Sequence, residues 1–397
     1  MGSKSTSRSG LIVNIAIAAV AISVAVMLIA VAVVKGYKLQ ITNKITGFSN
    51  HIQITRLDFN NSYETNPFNR DAAVEKTITN DKRVLFMQPF AIKAGIIKTD
   101  TEFEGIVLKG IDKQFNWDFV SQCITAGKIF SVNDSETTNQ IVISASTAQK
   151  LQVKVGDGLV VYFINSDGAL PRARKFTISG IYNTGFADLD ALYGIVDIKH
   201  LQKLNAWEHN QISGYEIKLV NYADLDVAAA DLYNTVPMHL QVKTIVDVYP
   251  QLFDWLGLLD INVIVIIILM VVVACINMST AILILIVERS NMIGMLKSMG
   301  ATNKQIQRIF VVMAARLIGF GLMIGNLVGL TIAITQYWWG WIKLNQEAYF
   351  LSEVPIFITP LDVLWINVGA FVLCLFIMLL PARFVSRISP IKTIRFQ

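Results

Sequence analysis

The sequence contains four apolar stretches that are too long for the core of a water-soluble domain. A helix needs about 20 apolar residues to cross the hydrocarbon layer of a bilayer. The stretches run from Leu11 to Val34, Asn262 to Val287, Ile309 to Gln336 and Leu361 to Leu380. Because 53% of the residues are hydrophobic and only 16% are charged, the chain is predicted to be a membrane protein with four transmembrane helices.

A polar segment of 225 residues, Gly36 to Asp260, separates the first two apolar stretches. A helical pattern continues from the first stretch into this segment, and period-two alternation begins near His51, which is typical of a strand. Further strand-like runs lie at 84–98, 104–111, 139–146, 157–164, 174–182, 193–198 and 214–220, with helical candidates at 146–151, 198–204 and 224–233. These patterns predict a mixed α+β extracytoplasmic domain, mostly antiparallel, inserted between transmembrane helices 1 and 2.

The predicted boundaries follow from these stretches. They give a cytoplasmic tail (1–10), helix 1 (11–35), the periplasmic domain (36–260), helix 2 (261–287), a cytoplasmic hairpin (288–308), helix 3 (309–337), a periplasmic loop (338–360), helix 4 (361–381) and a cytoplasmic tail (382–397). The first stretch could instead be a cleaved signal peptide, since Lys4 and Arg8 precede it and Ala30 and Ala32 offer small residues for cleavage. A retained helix is favoured, because a signal peptide has an apolar run of only about 7 to 15 residues.

The distribution of charge predicts the orientation in the membrane. Lys and Arg cluster in both tails and in the hairpin at 288–308, whereas residues 36–260 carry 21 Lys and Arg against 25 Asp and Glu, a net charge of −4. Basic segments next to membrane helices stay on the cytoplasmic side. Both termini are therefore predicted to be cytoplasmic. The overall charge of +5 reflects this topology, and nucleic acid is not expected as a partner.

The hairpin sequence VERSNMIGMLKSMGATNKQIQRIF, 287–310, predicts a short helix followed by a second one. Gly300 suits a left-handed cap after the first helix, and Thr302 with Gln305 matches the capping box that begins the next. The spacing i, i+3, i+4, i+7 places four apolar side chains on one helical face: Met292, Met295, Leu296 and Met299. This face could rest on lipid or a neighbouring helix, but an adaptable docking surface for a partner is favoured.

Two features of the third apolar stretch predict packing and lipid contact. Gly321, Gly325 and Gly329 form a small-xxx-small pattern that allows another helix to approach closely. Arg316 lies about two helical turns beyond Arg308 and could extend back to the membrane surface. Contact with lipid phosphate is its preferred role, and contact with a substrate is the alternative.

No motif in the sequence supports catalysis. The chain lacks a G-x-x-x-x-G-K-[ST] phosphate loop, H-E-x-x-H, paired C-x-x-C and G-x-S-x-G. His51, His200, His209 and His239 are scattered and are predicted to be surface residues, and Asp188 with Asp190 is interpreted as part of a turn. The chain is therefore expected to be a non-enzyme without a metal site or a cofactor of its own.

Several separated motifs resemble those of FtsX-like permeases. The hairpin is similar to that family's Glu-Arg and I-G-x-L-[KR]-x-[ML]-G-A signature, and the tail LPARFVSRISPIKTIRFQ, 380–397, resembles its C-terminal pattern. VLKGID, 107–112, and ISGYEIKL, 212–219, are more similar to the permeases of lipoprotein-releasing systems, the LolC and LolE type. Members of that family usually begin with a further amphipathic helix, whereas only ten residues precede Leu11 here.

The resemblance implies a subunit of a type VII ABC transporter in the inner membrane of a Gram-negative bacterium. The expected partners are an ABC ATPase dimer that holds ATP and Mg²⁺, a second permease subunit, identical or homologous, acylated lipoproteins, membrane lipids and a periplasmic lipoprotein carrier. The transporter would extract lipoproteins and hand them to the carrier. The implied ATPase-docking residues are Glu288, Arg289, Met292, Met295, Leu296 and Met299, and the implied carrier-binding hairpin, 164–175, includes Arg172, Arg174 and Lys175.

Two other functions remain open at this point. A mechanotransmitting permease of the same superfamily could export a toxin, an antibiotic or a peptide, and a regulator of a cell-wall hydrolase would have a similar membrane part. The size of the outer domain argues against the regulator. Lipoprotein extraction is preferred, because moving acyl chains out of a bilayer costs about 0.8 kcal/mol per CH₂ group exposed to water and so needs both a sheltered route and an external energy source.

Overall fold

The computed structural model describes residues 5–58, 66–99, 102–163 and 171–383. Its helices are α1 (Ser5–Ser49), α2 (Ala72–Thr79), α3 (Asp118–Gln122), α4 (Ala145–Leu151), α5 (Ala187–Leu192), α6 (Ile198–Leu204), α7 (Leu225–Thr235), α8 (Ile245–Val248), α9 (Pro250–Glu288), α10 (Ser290–Ser298), α11 (Asn303–Trp339), α12 (Gln346–Tyr349) and α13 (Pro360–Arg383). Its strands are β1 (Ile52–Arg56), β2 (Phe68–Asn69), β3 (Val84–Lys98), β4 (Phe103–Ile111), β5 (Ile124–Gly127), β6 (Gln140–Ser144), β7 (Gly158–Phe163), β8 (Arg172–Tyr182), β9 (Tyr193–Asp197), β10 (Gln211–Ile212), β11 (Gly214–Leu219) and β12 (Leu240–Thr244).

Four of the described helices, α1, α9, α11 and α13, are long and apolar enough to cross a membrane. Each contains one of the four apolar stretches, so the predicted four-helix architecture with an inserted α+β domain is confirmed. Two of them continue well past the apolar stretch: α1 ends at Ser49 and α9 already begins at Pro250. The helical pattern that follows the first apolar stretch is therefore part of the same helix.

The chain divides into two compact units. The membrane unit comprises the described parts of Met1–Gln40, Asp254–Lys343 and Glu353–Gln397. The outer unit comprises the described parts of Ile41–Phe253 together with Leu344–Ser352, so the tip of the connection between α11 and α13 belongs to it. There, the ring of Phe350 packs at a tilt against that of Phe186, with ring centroids 4.6 Å apart.

In the membrane unit, α1 packs closely along the glycine face of α11. A Cβ atom built on Gly325 would lie 2.6 Å from the carbonyl oxygen of Ala21, and one on Gly321 would lie 2.7 Å from Val20. At Gly329 the corresponding distance to the Cα of Ala25 is 3.0 Å. The three glycines therefore face α1, the kind of close approach that was predicted for them.

The outer unit is built on a mixed sheet of ten strands. Six of them close into a ring in the order β3, β4, β9, β6, β8 and β7, because β7 pairs with both β8 and β3. The pairs β4–β9 and β6–β8 are parallel, and the other described pairs are antiparallel. The side chains of Val161, Phe163 and Phe176 in β7 and β8 are fully buried, which places part of the domain core on these strands.

Beyond β3, the sheet continues through β11 and β1 to the edge strand β12. Strand β1 follows α1 after a single turn, and its residues Ile52 and Ile54 are fully buried. It pairs with β11 on one side and with β12 on the other. The first long helix therefore leads directly into an interior strand of the outer sheet.

Candidate functional site

The predicted docking helix is α10, which begins after Arg289 and ends at Ser298. Gly300 follows it with φ of +92°, and Ala301 donates its N–H to the carbonyl of Leu296 at 3.0 Å, so the predicted glycine cap is present. Thr302 and Gln305 form the predicted capping box at the start of α11. The C-terminal end of α10 and the start of α11 are therefore fixed by local hydrogen bonds, and α10 is a defined surface feature between α9 and α11.

The four apolar residues assigned to the docking face divide into two groups. The side chains of Met295 and Met299 are 58% and 84% exposed, and Met292 is also exposed. Leu296 is partly buried and packs against the apolar core of the membrane helices, next to the fully buried Ile293. At 100° per residue Leu296 lies about 40° from Met292 on the side of Ile293, so it is less accessible to a partner than the three methionines.

The two charged residues at the entry to α10 have different surroundings. Arg289 lines a cavity of about 380 Å³ together with Asn14, Met292 and Phe310. Glu288 is exposed at the end of α9. The exposed surface for a partner is therefore a methionine face bordered by charged groups, and its role in docking stays a prediction.

A second site is the C-terminal end of α1, which is anchored by two lysines of the outer sheet. Lys218 Nζ donates to the carbonyl of Thr46 at 2.9 Å, and Lys109 Nζ donates to the carbonyl of Phe48 at 2.9 Å. Asn50, which follows the helix, has φ of +58° and closes it in the left-handed conformation. The last carbonyls of a helix lack intrahelical partners. A positive charge near them also interacts favourably with the negative end of the helix dipole.

Glu216 on β11 completes this arrangement. Its carboxylate accepts from Lys109 Nζ at 2.7 and 2.9 Å, from Asn50 Nδ2 at 2.9 Å and from Gln88 Nε2 at 2.9 Å. Lys109 and Glu216 are only 3% and 2% exposed. A buried charge pair of this kind is tolerated because both charged groups are held by several hydrogen bonds. We refer to Phe48, Asn50, Gln88, Lys109 and Glu216 as the α1 junction.

Aromatic rings shield the α1 junction from water. Lys109 Nζ lies 4.9 Å from the ring centroid of Phe48 and 5.8 Å from that of Phe115. Phe48 also stacks against Tyr182, with ring centroids 6.1 Å apart. Low local polarity strengthens the hydrogen bonds and the ion pair, so the junction holds the end of α1 rigidly on β4 and β11.

The residues of the α1 junction were not identified as a site from the sequence. Lys109 and Glu216 lie within VLKGID and ISGYEIKL, the two outer-domain motifs that carry the resemblance to lipoprotein-releasing permeases. A lysine and a glutamate between apolar neighbours in strands are a usable signal, because buried charges in strands require a partner. The sequence could not show that these two residues pair with each other, since they are 107 positions apart in the chain.

His51 lies beside the junction and does not fit the prediction that the histidines are on the surface. It is 5% exposed, and its Nδ1 accepts the backbone N–H of Leu219 at 2.9 Å. Burial, together with the nearby charge of Lys218, lowers the pKa of His51 to about 4. His200 is also buried, with Nε2 2.9 Å from the carbonyl oxygen of Thr138. The surface prediction is wrong for both, because each ring nitrogen serves a backbone group in the sheet core.

Acidification is expected to destabilise the outer unit through His51. Since the pKa is about 4 in the folded protein and about 6.5 in an unfolded chain, the unfolded state binds the extra proton. The free energy of unfolding has its full contribution from His51 above pH 6.5. It falls by about 2–3 kcal/mol as the pH is lowered towards 4. Chemical unfolding of the full-length protein in nanodiscs, followed at pH 4 to 8, measures this. His51→Gln keeps an acceptor for Leu219 and should remove most of the slope, and an unchanged slope would contradict the assignment.

The structure describes only part of the predicted carrier-binding hairpin. Residues 164–170 lie outside the described residues, while Arg172, Arg174 and Lys175 lie on β8, paired with β7. Arg172 donates to the carbonyl of Leu204 at 2.8 Å. Because strand side chains alternate, Arg172 and Arg174 share a face and Lys175 points to the other. The three cations therefore do not form one basic face, and carrier binding stays a prediction.

Asp188 and Asp190 were interpreted as part of a turn, but both lie in the short helix α5. Asp190 is buried and accepts from Thr184 Oγ1 at 2.8 Å and from the N–H of Gly185 at 3.2 Å, so it orders the segment that leads into this helix, whereas Asp188 is exposed. Burial raises the pKa of Asp190. Within the described residues, no group of three or more His, Cys, Asp or Glu side chains could hold a metal ion.

Comparison with known proteins identifies the two parts of the chain. Residues 264–390 match the FtsX-like permease C-terminal family, and residues 15–234 match the MacB-like periplasmic core domain family. Similar proteins include the lipoprotein-releasing system transmembrane protein LolE of Haemophilus influenzae, 22% identical over 99% of this chain and 96% of that protein. The corresponding LolC of Neisseria meningitidis is 22% identical over 97% of this chain and 94% of that protein.

A solved structure was also found, the periplasmic region of MacB from Actinobacillus actinomycetemcomitans. It is 14% identical, covers 53% of this chain and 95% of that structure, and has a TM-score of 0.35. The family matches together span both the outer unit and the helices that follow it. The chain therefore belongs to the FtsX-like permeases that carry a MacB-like periplasmic core domain, a family of ABC transporter membrane subunits.

Proposed function

We propose that this protein is a permease subunit of an ABC transporter that extracts lipoproteins from the inner membrane and hands them to a periplasmic carrier. The observation that carries the proposal is the similarity to LolE and LolC proteins over nearly the full length of both chains. Those relatives are named transmembrane proteins of the lipoprotein-releasing system. Because the similarity includes the outer domain as well as the membrane helices, it favours a shared substrate class. Similarity of the membrane helices alone would not.

ATP hydrolysis takes place in a separate ATPase dimer, which holds ATP and Mg²⁺ and docks on the exposed face of α10. Met295 and Met299 supply the most exposed apolar surface of the helix, and unbranched thioether side chains adapt well to a partner. Both termini and α10 then lie in the cytoplasm, as the basic residues near the membrane helices favour.

The α1 junction gives this proposal a mechanical route. In this role, a movement of the membrane end of α1 also moves β4 and β11. The reason is that the C-terminal end of α1 is bound by buried lysine and glutamate side chains. The glycine contacts join α1 to α11, which is the helix that follows α10. Two or three acyl chains cost about 0.8 kcal/mol per CH₂ group to expose to water, so the outer unit of this chain and that of a second permease subunit would shelter them during transfer to the carrier.

Depletion of the protein tests the function together with the docking surface. In depleted cells, newly made acylated lipoproteins should accumulate in the inner membrane, as followed by pulse labelling and fractionation. Wild-type protein should restore sorting, whereas Met295→Glu/Met299→Glu should not, and its co-purification with the ATPase should fall by at least about tenfold, because charges would replace the apolar anchors. Leu296 is left unchanged, since it packs into the membrane unit and its loss would disturb folding.

Met238→Glu is the matched control, since Met238 is 97% exposed in the outer unit. It should sort lipoproteins and bind the ATPase like wild type. Normal sorting after depletion would refute lipoprotein release and favour efflux of another substrate. Normal ATPase co-purification by the double variant would refute docking on α10 and leave the substrate assignment intact.

A further inference from the structure

An open groove runs along the first turns of α11 in the membrane unit. Its volume is about 800 Å³, and most of its lining is apolar, including Leu296, Ile309, Val312 and Met313. Two guanidinium groups, Arg308 and Arg316, also line it. Both arginines are exposed, and within the described residues neither has a hydrogen bond or an ion pair.

The depth of Arg316 limits what can neutralise it. It lies seven residues beyond Ile309, where the third apolar stretch begins, which corresponds to about 10 Å along a helix. An arginine at this depth is costly unless it reaches back to the interface or finds an anion. A docked cytosolic protein would have to enter the hydrocarbon layer to reach it.

The apolar stretches of a second copy of this chain would bring no carboxylate to the depth of Arg316 either. The stretches Leu11 to Val34, Asn262 to Val287 and Ile309 to Gln336 contain no Asp or Glu, and the fourth contains only Asp362. Asp362 lies at the start of α13 and is paired with Lys35, with Nζ and Oδ1 2.5 Å apart. The anion naturally present at the level of Arg308 and Arg316 is the phosphate of a membrane lipid.

We propose that this groove is a binding site for an anionic glycerophospholipid of the cytoplasmic leaflet. The phosphate lies between Arg308 and Arg316, and an acyl chain follows the apolar wall formed by Val312 and Met313. A guanidinium binds phosphate through paired hydrogen bonds. An anionic lipid is favoured over a zwitterionic one because it brings no ammonium group to compete with the two arginines.

The site would place a lipid next to the docking helix. Leu296 and Ala301, at the end of α10 and in the turn that follows it, line the same groove. A bound lipid would therefore brace α10 against α11 from the membrane side. The cytoplasmic location rests on the proposed orientation, but lipid binding itself does not depend on transport.

The test measures lipid binding to the purified full-length protein by native mass spectrometry. Protein taken from nanodiscs of phosphatidylethanolamine and phosphatidylglycerol should retain phosphatidylglycerol. Arg308→Gln and Arg316→Gln should each weaken retention about fivefold, and the double variant roughly thirtyfold, since one basic residue near the surface contributes about 1 kcal/mol. Arg316→Lys should retain most of the binding, which separates loss of charge from loss of folding.

Two further variants make the test specific. Lys304→Gln removes an equal charge one turn before Arg308, outside the groove, and should leave retention within about twofold of wild type. Val312→Trp keeps the charge but fills the groove and should displace the lipid. Equal losses for Lys304→Gln and Arg308→Gln would indicate only diffuse attraction and overturn the site. Full retention by Val312→Trp, or by the double arginine variant, would also overturn it, whatever the outcome for lipoprotein sorting.

Discussion

Lys109→Met is expected to lower the free energy of unfolding of the full-length protein by about 3–5 kcal/mol, the largest effect of any single substitution considered. The variant leaves the carboxylate of Glu216 buried with only two amide donors, from Asn50 and Gln88. It also removes the donor to the carbonyl of Phe48 at the end of α1. Chemical unfolding in nanodiscs measures the loss, and hydrogen exchange at the backbone amides of residues 45–50 should rise with it.

Lys113→Met is the matched control, from a lysine just after the same strand. Lys113 pairs with Asp134 at 2.5 Å, but the two side chains are 57% and 76% exposed, so the loss should be below about 1 kcal/mol. The double variant Lys109→Met/Glu216→Leu should be less destabilised than the sum of the two single variants, because it removes the uncompensated charge. Equal effects at Lys109 and Lys113 would show that the α1 junction does not hold the helix end.

The second large effect is expected from Gly325→Leu in α11. Its Cβ would stand 2.6 Å from the carbonyl oxygen of Ala21 and 2.9 Å from the Cβ of Val24. Backbone atoms cannot yield as a flexible side chain can, so α1 must move away, at a cost of about 3 kcal/mol. The thermal unfolding temperature in nanodiscs should therefore fall.

Gly319→Leu provides the comparison on the same helix. A Cβ at Gly319 meets nothing within 4 Å, and leucine has a higher helix propensity than glycine. This variant should therefore be at least as stable as wild type. If Gly319→Leu and Gly325→Leu behave alike, the close packing of α1 on α11 is wrong.

The secondary structure was predictable where it depends on neighbouring residues. The run 84–98 was predicted as a strand with the bounds of β3, and Ile198–Leu204 as a helix with the bounds of α6. The capping box at Thr302 and the cap at Gly300 were also read correctly. The short strands β2, β5 and β10 were not predicted, because they carry too few residues for a repeating pattern, and the edge strand β12 was also missed.

The sites were less predictable than the elements that carry them. The methionine spacing located α10, but only packing against the membrane helices shows that Leu296 is turned inward. The histidines were predicted to be exposed because they are scattered along the sequence, yet His51 accepts a backbone N–H of a distant strand. In both cases the missing information is which side of an element the rest of the chain covers.

By itself, then, the sequence determined the four membrane helices, the inserted α+β domain, the hairpin helix and the family resemblance. These follow from hydropathy, from periods of 2 and 3.6 residues and from short motifs, all of which act over a few turns of chain. Only the tertiary structure decided that β7 closes the six-stranded ring, that α11 meets α1 through its glycines and that Lys109 reaches Glu216 and the end of α1. Those contacts join residues far apart in the chain, and burial, which no local pattern encodes, determines their strength.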